Sequence, residues 1–119
     1  MAPEPGMPAR VWLDASMTQC GLAMTRSLGD HLLEDAGVVP TPEMTRYDVA
    51  ANDKFFILAT DGLWEFVSSQ EAVDLVVAEL AAGETADGAS RALIQLAAMR
   101  WKANEGDYRD DTTVIVAML

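Results

Sequence analysis

Cations, thiols and imidazoles are all scarce in this chain. Eight Lys and Arg stand against 19 Asp and Glu, giving a net charge of -11, and the bases are scattered along the sequence. Binding a phosphate backbone needs Lys and Arg gathered on one surface, so nucleic acid is not expected as a partner. The single cysteine, Cys20, excludes an internal disulfide and favours a reducing, intracellular setting, cytoplasmic or nuclear. The lone His31 suggests no Cys–His nucleophile, and Cys20 reads as a small packing residue. No stretch reaches the roughly 18 apolar residues of a membrane span. Met1 to Arg10 also lacks the apolar core of a signal peptide.

What is present suits one folded α+β domain. Half of the 119 residues are hydrophobic, and acidity of this kind serves solubility or gathers carboxylates around a divalent cation. Residues 1–9 hold three of the five prolines and read as an extended lead-in. Short strands are expected over Arg10 to Leu13 and Gly21 to Arg26, the second ending at a turn around Gly29-Asp30. His31 to Pro42 is irregular, because Pro40 and Pro42 exclude a helix. Glu43 to Val49 is expected as an edge strand, forming a hairpin with the apolar run that follows.

That run, Phe55 to Thr60, has the character of a strand buried on both faces, and it stops at Asp61-Gly62. Asp-Gly here suits a hairpin turn, yet Leu63 to Leu80 reads as helix, with Ser68 to Glu71 as a capping box. Val73, Val76, Val77 and Leu80 form one apolar stripe, and Ala81 to Glu84 ends the helix. A second helix spans about residues 89–103, with Asp87 as the expected N-cap and Trp101 as a core anchor. After a polar loop, Thr113 to Leu119 reads as another interior strand. Two helices are therefore expected on one face of a mainly antiparallel sheet.

Asp110-Asp111 precedes the last strand much as Asp61 follows the central one. If the two strands are antiparallel neighbours, these acids share one sheet edge, within reach of a common cation. Mg²⁺ and similar hard ions take oxygen ligands and keep waters, so two or three carboxylates suffice. Glu65, four residues after Asp61, would fall on the same side of a helical turn. Caps, turns and solvated charges account for the same spacing.

Gly21-Leu22-Ala23-Met24-Thr25-Arg26-Ser27-Leu28-Gly29-Asp30, Phe56-Ile57-Leu58-Ala59-Thr60-Asp61-Gly62-Leu63-Trp64 and Asp110-Asp111-Thr112-Thr113-Val114 resemble, in order, three motifs of the metal-dependent Ser/Thr protein phosphatases, the PPM or type 2C family. The intervening Ser69 to Val73 helix start and the leading Arg10-Val11-Trp12 agree, so the resemblance runs from about Ala9 to the C-terminus. It implies part of a four-layer αββα sandwich with a binuclear Mg²⁺ or Mn²⁺ centre at one end, residues 10–119 being the C-terminal portion. Asp61 and Asp110 match metal ligands of the family. Asp111 stands where Asn is common and inherits no such role. Glu65 stands where many members carry an Asp associated with a weaker additional metal.

The resemblance also implies what these residues lack. The family's first half brings a phosphate-binding Arg, an early acidic pair and an Asp-Gly-His-Gly motif with the bridging ligand and general acid, and no such motif occurs here. His31 directly follows Gly29-Asp30 and does not match that histidine, so no catalytic residue is assigned. The complete domain would dephosphorylate phosphoserine and phosphothreonine proteins by metal-activated water. This chain alone is expected to bind metal weakly and to turn over little. The alternative is a noncatalytic module that docks a partner, a second copy or the missing half through a sheet face its helices do not cover.

Overall fold

The computed structural model describes residues 9–19 and 21–119, so the expected lead-in, apart from Ala9, and the packing of Cys20 lie outside the described residues. Residues up to Tyr47 form one compact unit and Asp48–Leu119 another.

In the first unit, β1 (Val11–Trp12) pairs antiparallel with β2 (Gly21–Leu22), placing Trp12 opposite Gly21. A Cβ on Gly21 would stand 2.7 Å from the Trp12 ring, so the indole needs a glycine beneath it. Asp14 organises the intervening loop by accepting from the Thr18 N–H at 3.1 Å, the Gln19 N–H at 2.9 Å and the hydroxyls of Ser16 and Thr18. These bonds, led by that from Ser16, hold its carboxyl down at about 2. The expected strand over Gly21 to Arg26 is shorter: it stops at Leu22, and Arg26 makes only an isolated parallel bridge to Val39. A 3₁₀ turn at His31–Leu33 precedes the prolines and buries Leu33 beside Val38.

The second unit is built on β3 (Phe55–Ala59) and β4 (Val114–Met118), paired antiparallel from Phe55 opposite Met118 to Ala59 opposite Val114. This corrects the expected hairpin: Glu43 to Val49 is not a strand, and the partner of β3 comes from the far end of the chain. Five consecutive apolar residues in β4 offer β3 a matched ladder, whereas Glu43 forms an ion pair with Arg26 at 3.3 Å. Burial on both faces is also corrected. Val114 and Val116 are buried and Phe55, Ile57 and Ala59 half-buried, whereas Phe56, Leu58 and Ile115 are 44–58% exposed on the alternate positions.

Helix α1 (Asp61–Trp64) follows β3 directly, and α2 (Ser69–Ala81) and α3 (Ala86–Glu105) follow in turn. The expected continuous helix from Leu63 to Leu80 is broken because Ser68 adopts extended backbone (φ -71°, ψ 155°) to cap α2. The capping box is complete: Ser68 Oγ accepts from the Glu71 N–H at 3.3 Å, and Glu71 accepts from the Ser68 N–H at 3.1 Å and hydroxyl at 2.9 Å. At the other end Gly83, at φ 91°, closes a Schellman motif, with Gly83 N–H to Leu80 O at 3.1 Å and Glu84 N–H to Glu79 O at 3.0 Å. Helix α3 starts a turn earlier than expected. Thr85, not Asp87, is its N-cap, accepting from the Gly88 N–H at 3.1 Å, while Asp87 pairs with Arg91 at 2.9 Å.

The buried face of α3 is a row of every fourth residue, Ala89, Leu93, Ala97 and Trp101. It packs between β4 and α2, and Ala72, Ala89 and Ala97 let the helices approach closely. The α2 stripe is therefore displaced from its expected line: Ala72 and Val76 are buried, whereas Val73 and Val77 are 39% and 52% exposed. Arg100 binds Glu71 at 2.7 Å and fastens the start of α2 to the last turns of α3. Side chains also meet the outer rims of the ribbon. Ser90 Oγ accepts from the Val116 N–H at 3.2 Å, and Trp64 Nε1–H donates to Ala59 O at 3.0 Å. The α+β class and antiparallel pairing agree with expectation, and the second unit supplies one sheet and its helical layer.

The cap carries a pH signature. Hydrogen bonds from Ser68, backbone first, with help from Arg100, hold the Glu71 carboxyl below its ordinary value. Its stabilisation is then fully present above the unfolded-state value and is lost as pH falls through the lower folded value. Ser68→Ala should cost about 1 kcal/mol. Glu71→Gln should lower the urea midpoint at neutral pH, with the gap to the unmodified chain closing in acid; a pH-independent gap would contradict this account.

Candidate metal centre

The β3–β4 register decides where the acids lie. With Ala59 opposite Val114, the next rung is Thr60 against Thr113, closed by Thr60 N–H to Thr113 O at 3.1 Å. Thr60 does more than extend the ladder. Its hydroxyl donates to Asp111 O at 3.1 Å and accepts from the Thr113 N–H at 3.1 Å. The end of one strand and the approach to the other are thereby locked at one sheet edge.

Asp61 is the first residue of α1, and its side chain is exposed. Asp110 is half-buried, Asp111 is exposed, and the Asp111 N–H turns back to Asp110 Oδ1 at 2.8 Å. Glu65 sits one helical turn beyond Asp61, its N–H bonded to Asp61 O at 2.9 Å, and is also exposed. The backbone thus gathers Asp61 and Asp110 at one edge and sets Glu65 beside Asp61.

Two residues enforce the approach. A Cβ on Gly62 would fall 2.4 Å from Asp111 O and 2.6 Å from Thr112 Oγ1, so only glycine lets α1 lie against the 111–112 backbone. From the opposite side, Trp101 Nε1–H donates to Gly62 O at 2.7 Å in a buried bond. Phe66 and Tyr108 meet the Trp101 ring edge-on at 4.7 and 5.7 Å. The anchor expected of Trp101 therefore holds the residue next to the candidate ligand.

Donor chemistry suits a hard cation: carboxylate oxygens on exposed or half-exposed groups, with no lysine or arginine paired to Asp61 or Asp110 among the described residues. Among the described residues no three acidic, imidazole or thiol side chains converge as a ligand group. The edge is a partial donor set that water or further protein oxygens would have to complete. Sequence reasoning passed over Thr60, Gly62 and Thr112 as site-forming residues. Thr60 and Gly62 flank Asp61 in the sequence, but the contacts that give them this role come from residues 111–113, at the far end of the unit.

A family model described as Protein phosphatase 2C matches residues 10–105. The chain is 41% identical over 117 residues to probable protein phosphatase 2C 12 of Oryza sativa subsp. japonica, covering 98% of this chain and 28% of that protein. It is 40% identical over 113 residues to probable protein phosphatase 2C 34 of Arabidopsis thaliana, covering 94% and 30% respectively. The crystal structure of serine-threonine phosphatase 2C from Toxoplasma gondii superposes with a TM-score of 0.73 at 22% identity, over 87% of this chain and 32% of that one. The chain thus spans less than a third of the length of these relatives. On the extent of the family match and the identity to these relatives, it belongs to the protein phosphatase 2C family.

Proposed function

We propose that these residues form the late, ligand-bearing part of a metal-dependent protein serine/threonine phosphatase, with Asp61 and Asp110 as oxygen ligands for Mg²⁺ or Mn²⁺. The observation that carries this reading is the Thr60 staple between β3 and the Asp110–Thr113 approach, which brings both acids to one edge. A divalent ion bound there would polarise phosphate oxygens and acidify a water for attack on a phosphomonoester. This chain's own residues supply charge and placement. Asp61 presents its carboxylate from the rigid junction of β3 and α1, Asp110 presents the second, and Trp101 and Gly62 hold the junction in position. Glu65 has a longer arm than the family's usual Asp, which suits contact through water over direct ligation.

The sequence contains no Asp-Gly-His-Gly segment, and two carboxylates leave most of a binuclear donor set unfilled. The 119-residue chain alone should therefore bind Mn²⁺ weakly and leave phosphoserine peptides uncleaved. A second reading is favoured by the outer face of the ribbon, where Phe56, Leu58 and Ile115 lie 44–58% exposed. That apolar surface suits docking against the remainder of a phosphatase domain, the chain covering under a third of its relatives' length.

Mn²⁺ titration of the isolated chain should show weak binding, lost in Asp61→Asn and in Asp110→Asn. Mn²⁺-dependent phosphatase activity that Asp61→Asn abolishes would overturn the inactivity of the chain alone. Gly62→Ala should destabilise the fold by about 1–3 kcal/mol through overpacking and weaken Mn²⁺ binding with Asp61 intact. In sedimentation at rising concentration the chain should self-associate, and Leu58→Lys with Ile115→Lys should restore the monomer; a monomer that binds no apolar dye would count against the docking face.

A further inference from the structure

Phosphatase chemistry leaves one cleft unused. At the end of α3 a cavity of about 520 Å³ is lined by Ala98, Lys102, Gly106, Asp107, Tyr108 and Arg109. Two of the chain's eight bases meet here in a protein whose net charge is -11. Most of the arginines are already engaged: Arg10 with Gly21 O, Arg26 with Glu43, Arg91 with Asp87 and Arg100 with Glu71, and Arg46 too has a partner. Among the described residues Arg109 is the arginine for which no carboxylate or carbonyl partner is found. Lys102 lies in the last turn of α3, where it also offsets the helix's negative end, so Arg109 carries most of the cleft's attraction for anions.

The surroundings of Arg109 are ordered. Tyr108 is braced edge-on against Trp101 at 5.7 Å, and its N–H bonds Glu105 O at 3.3 Å. Arg109 immediately precedes Asp110 in the chain, and adjacent Cα atoms are about 3.8 Å apart, so the Arg109 wall of the cleft adjoins the candidate metal edge. A planar guanidinium matches two oxygens of a phosphate-type anion at once, and a lysine and a phenol add single donors.

We propose that Arg109, Lys102 and the Tyr108 hydroxyl form an oxyanion site that holds a second phosphate group of a phosphoprotein substrate, next to the one that would meet a cation held by Asp61 and Asp110. Assignment to a substrate rests on the phosphatase reading; oxyanion binding at the cleft does not. Asp107 opposes the anion and sets its affinity.

NMR titration of the metal-free 119-residue chain with inorganic phosphate should give saturable shifts at Gly106, Tyr108 and Arg109, with none from chloride at equal ionic strength. Arg109→Ala should weaken binding about tenfold or more, as expected for loss of a charge-assisted pair. Asp107→Asn should tighten it, and Asp61→Asn should leave it unchanged, which separates this site from the metal edge. With Mn²⁺ added, a peptide with two phosphoserines should bind more tightly than one with a single phosphoserine. No saturable shift, or Arg109→Ala binding like the unmodified chain, would overturn the site; equal binding of both peptides would overturn its assignment to a multiply phosphorylated substrate.

Discussion

The buried hydrogen bond from Trp101 Nε1–H to Gly62 O, at 2.7 Å and across 39 residues, is the contact on which the second unit turns. It joins the far end of α3 to the first turn of α1, and so fixes a helix of four residues that could not hold its own position. Its geometry is available only because Ala89, Leu93, Ala97 and Trp101 form one row, and three of the four are completely buried. Gly62 also lies so close to the 111–112 backbone that the carbonyl cannot move without opening that seam. Core packing and site placement are consequently one constraint.

The two metal candidates inherit their precision from different sources. Asp61 is placed by a strand end, a helix start and the indole bond together. Asp110 lies four residues outside β4 and is steadied by the Asp111 N–H and by the Thr60 contact to its neighbour. Oxygen ligands on a half-exposed loop adapt to a cation that keeps some of its water, whereas a ligand at a strand–helix junction sets the point around which they adapt.

Local chemistry was legible in the sequence; long-range pairing was not. The capping box at Ser68–Glu71, the stop near Gly83 and the anchoring role of Trp101 follow from residue type and spacing, and all three appear in the structure. Glu43 to Val49 looked like the natural partner of β3 because it is nearest in sequence, yet β4 provides five matched apolar residues from the other end of the unit. The α2 stripe was misplaced because valine advertises hydrophobicity, whereas close helix packing chose Ala72 and left Val73 and Val77 on the flank. Asp61 and Asp110 stand out in the sequence through motif order, but Thr60 and Gly62 acquire their contacts only from atoms contributed by residues 111–113.

The β3–β4 ribbon treats its rims and its face differently. In this antiparallel register the Val116 N–H and the Ala59 carbonyl point away from the partner strand, and each is occupied, by Ser90 and by Trp64. An incoming strand would have to displace a side-chain bond on either side, which is how natural sheets discourage runaway edge growth. The outer apolar face, with Phe56, Leu58 and Ile115, carries no such guard. Contact through it would stack intact ribbons without extending them, so assemblies of this chain should be finite and dilution-reversible, not fibrillar.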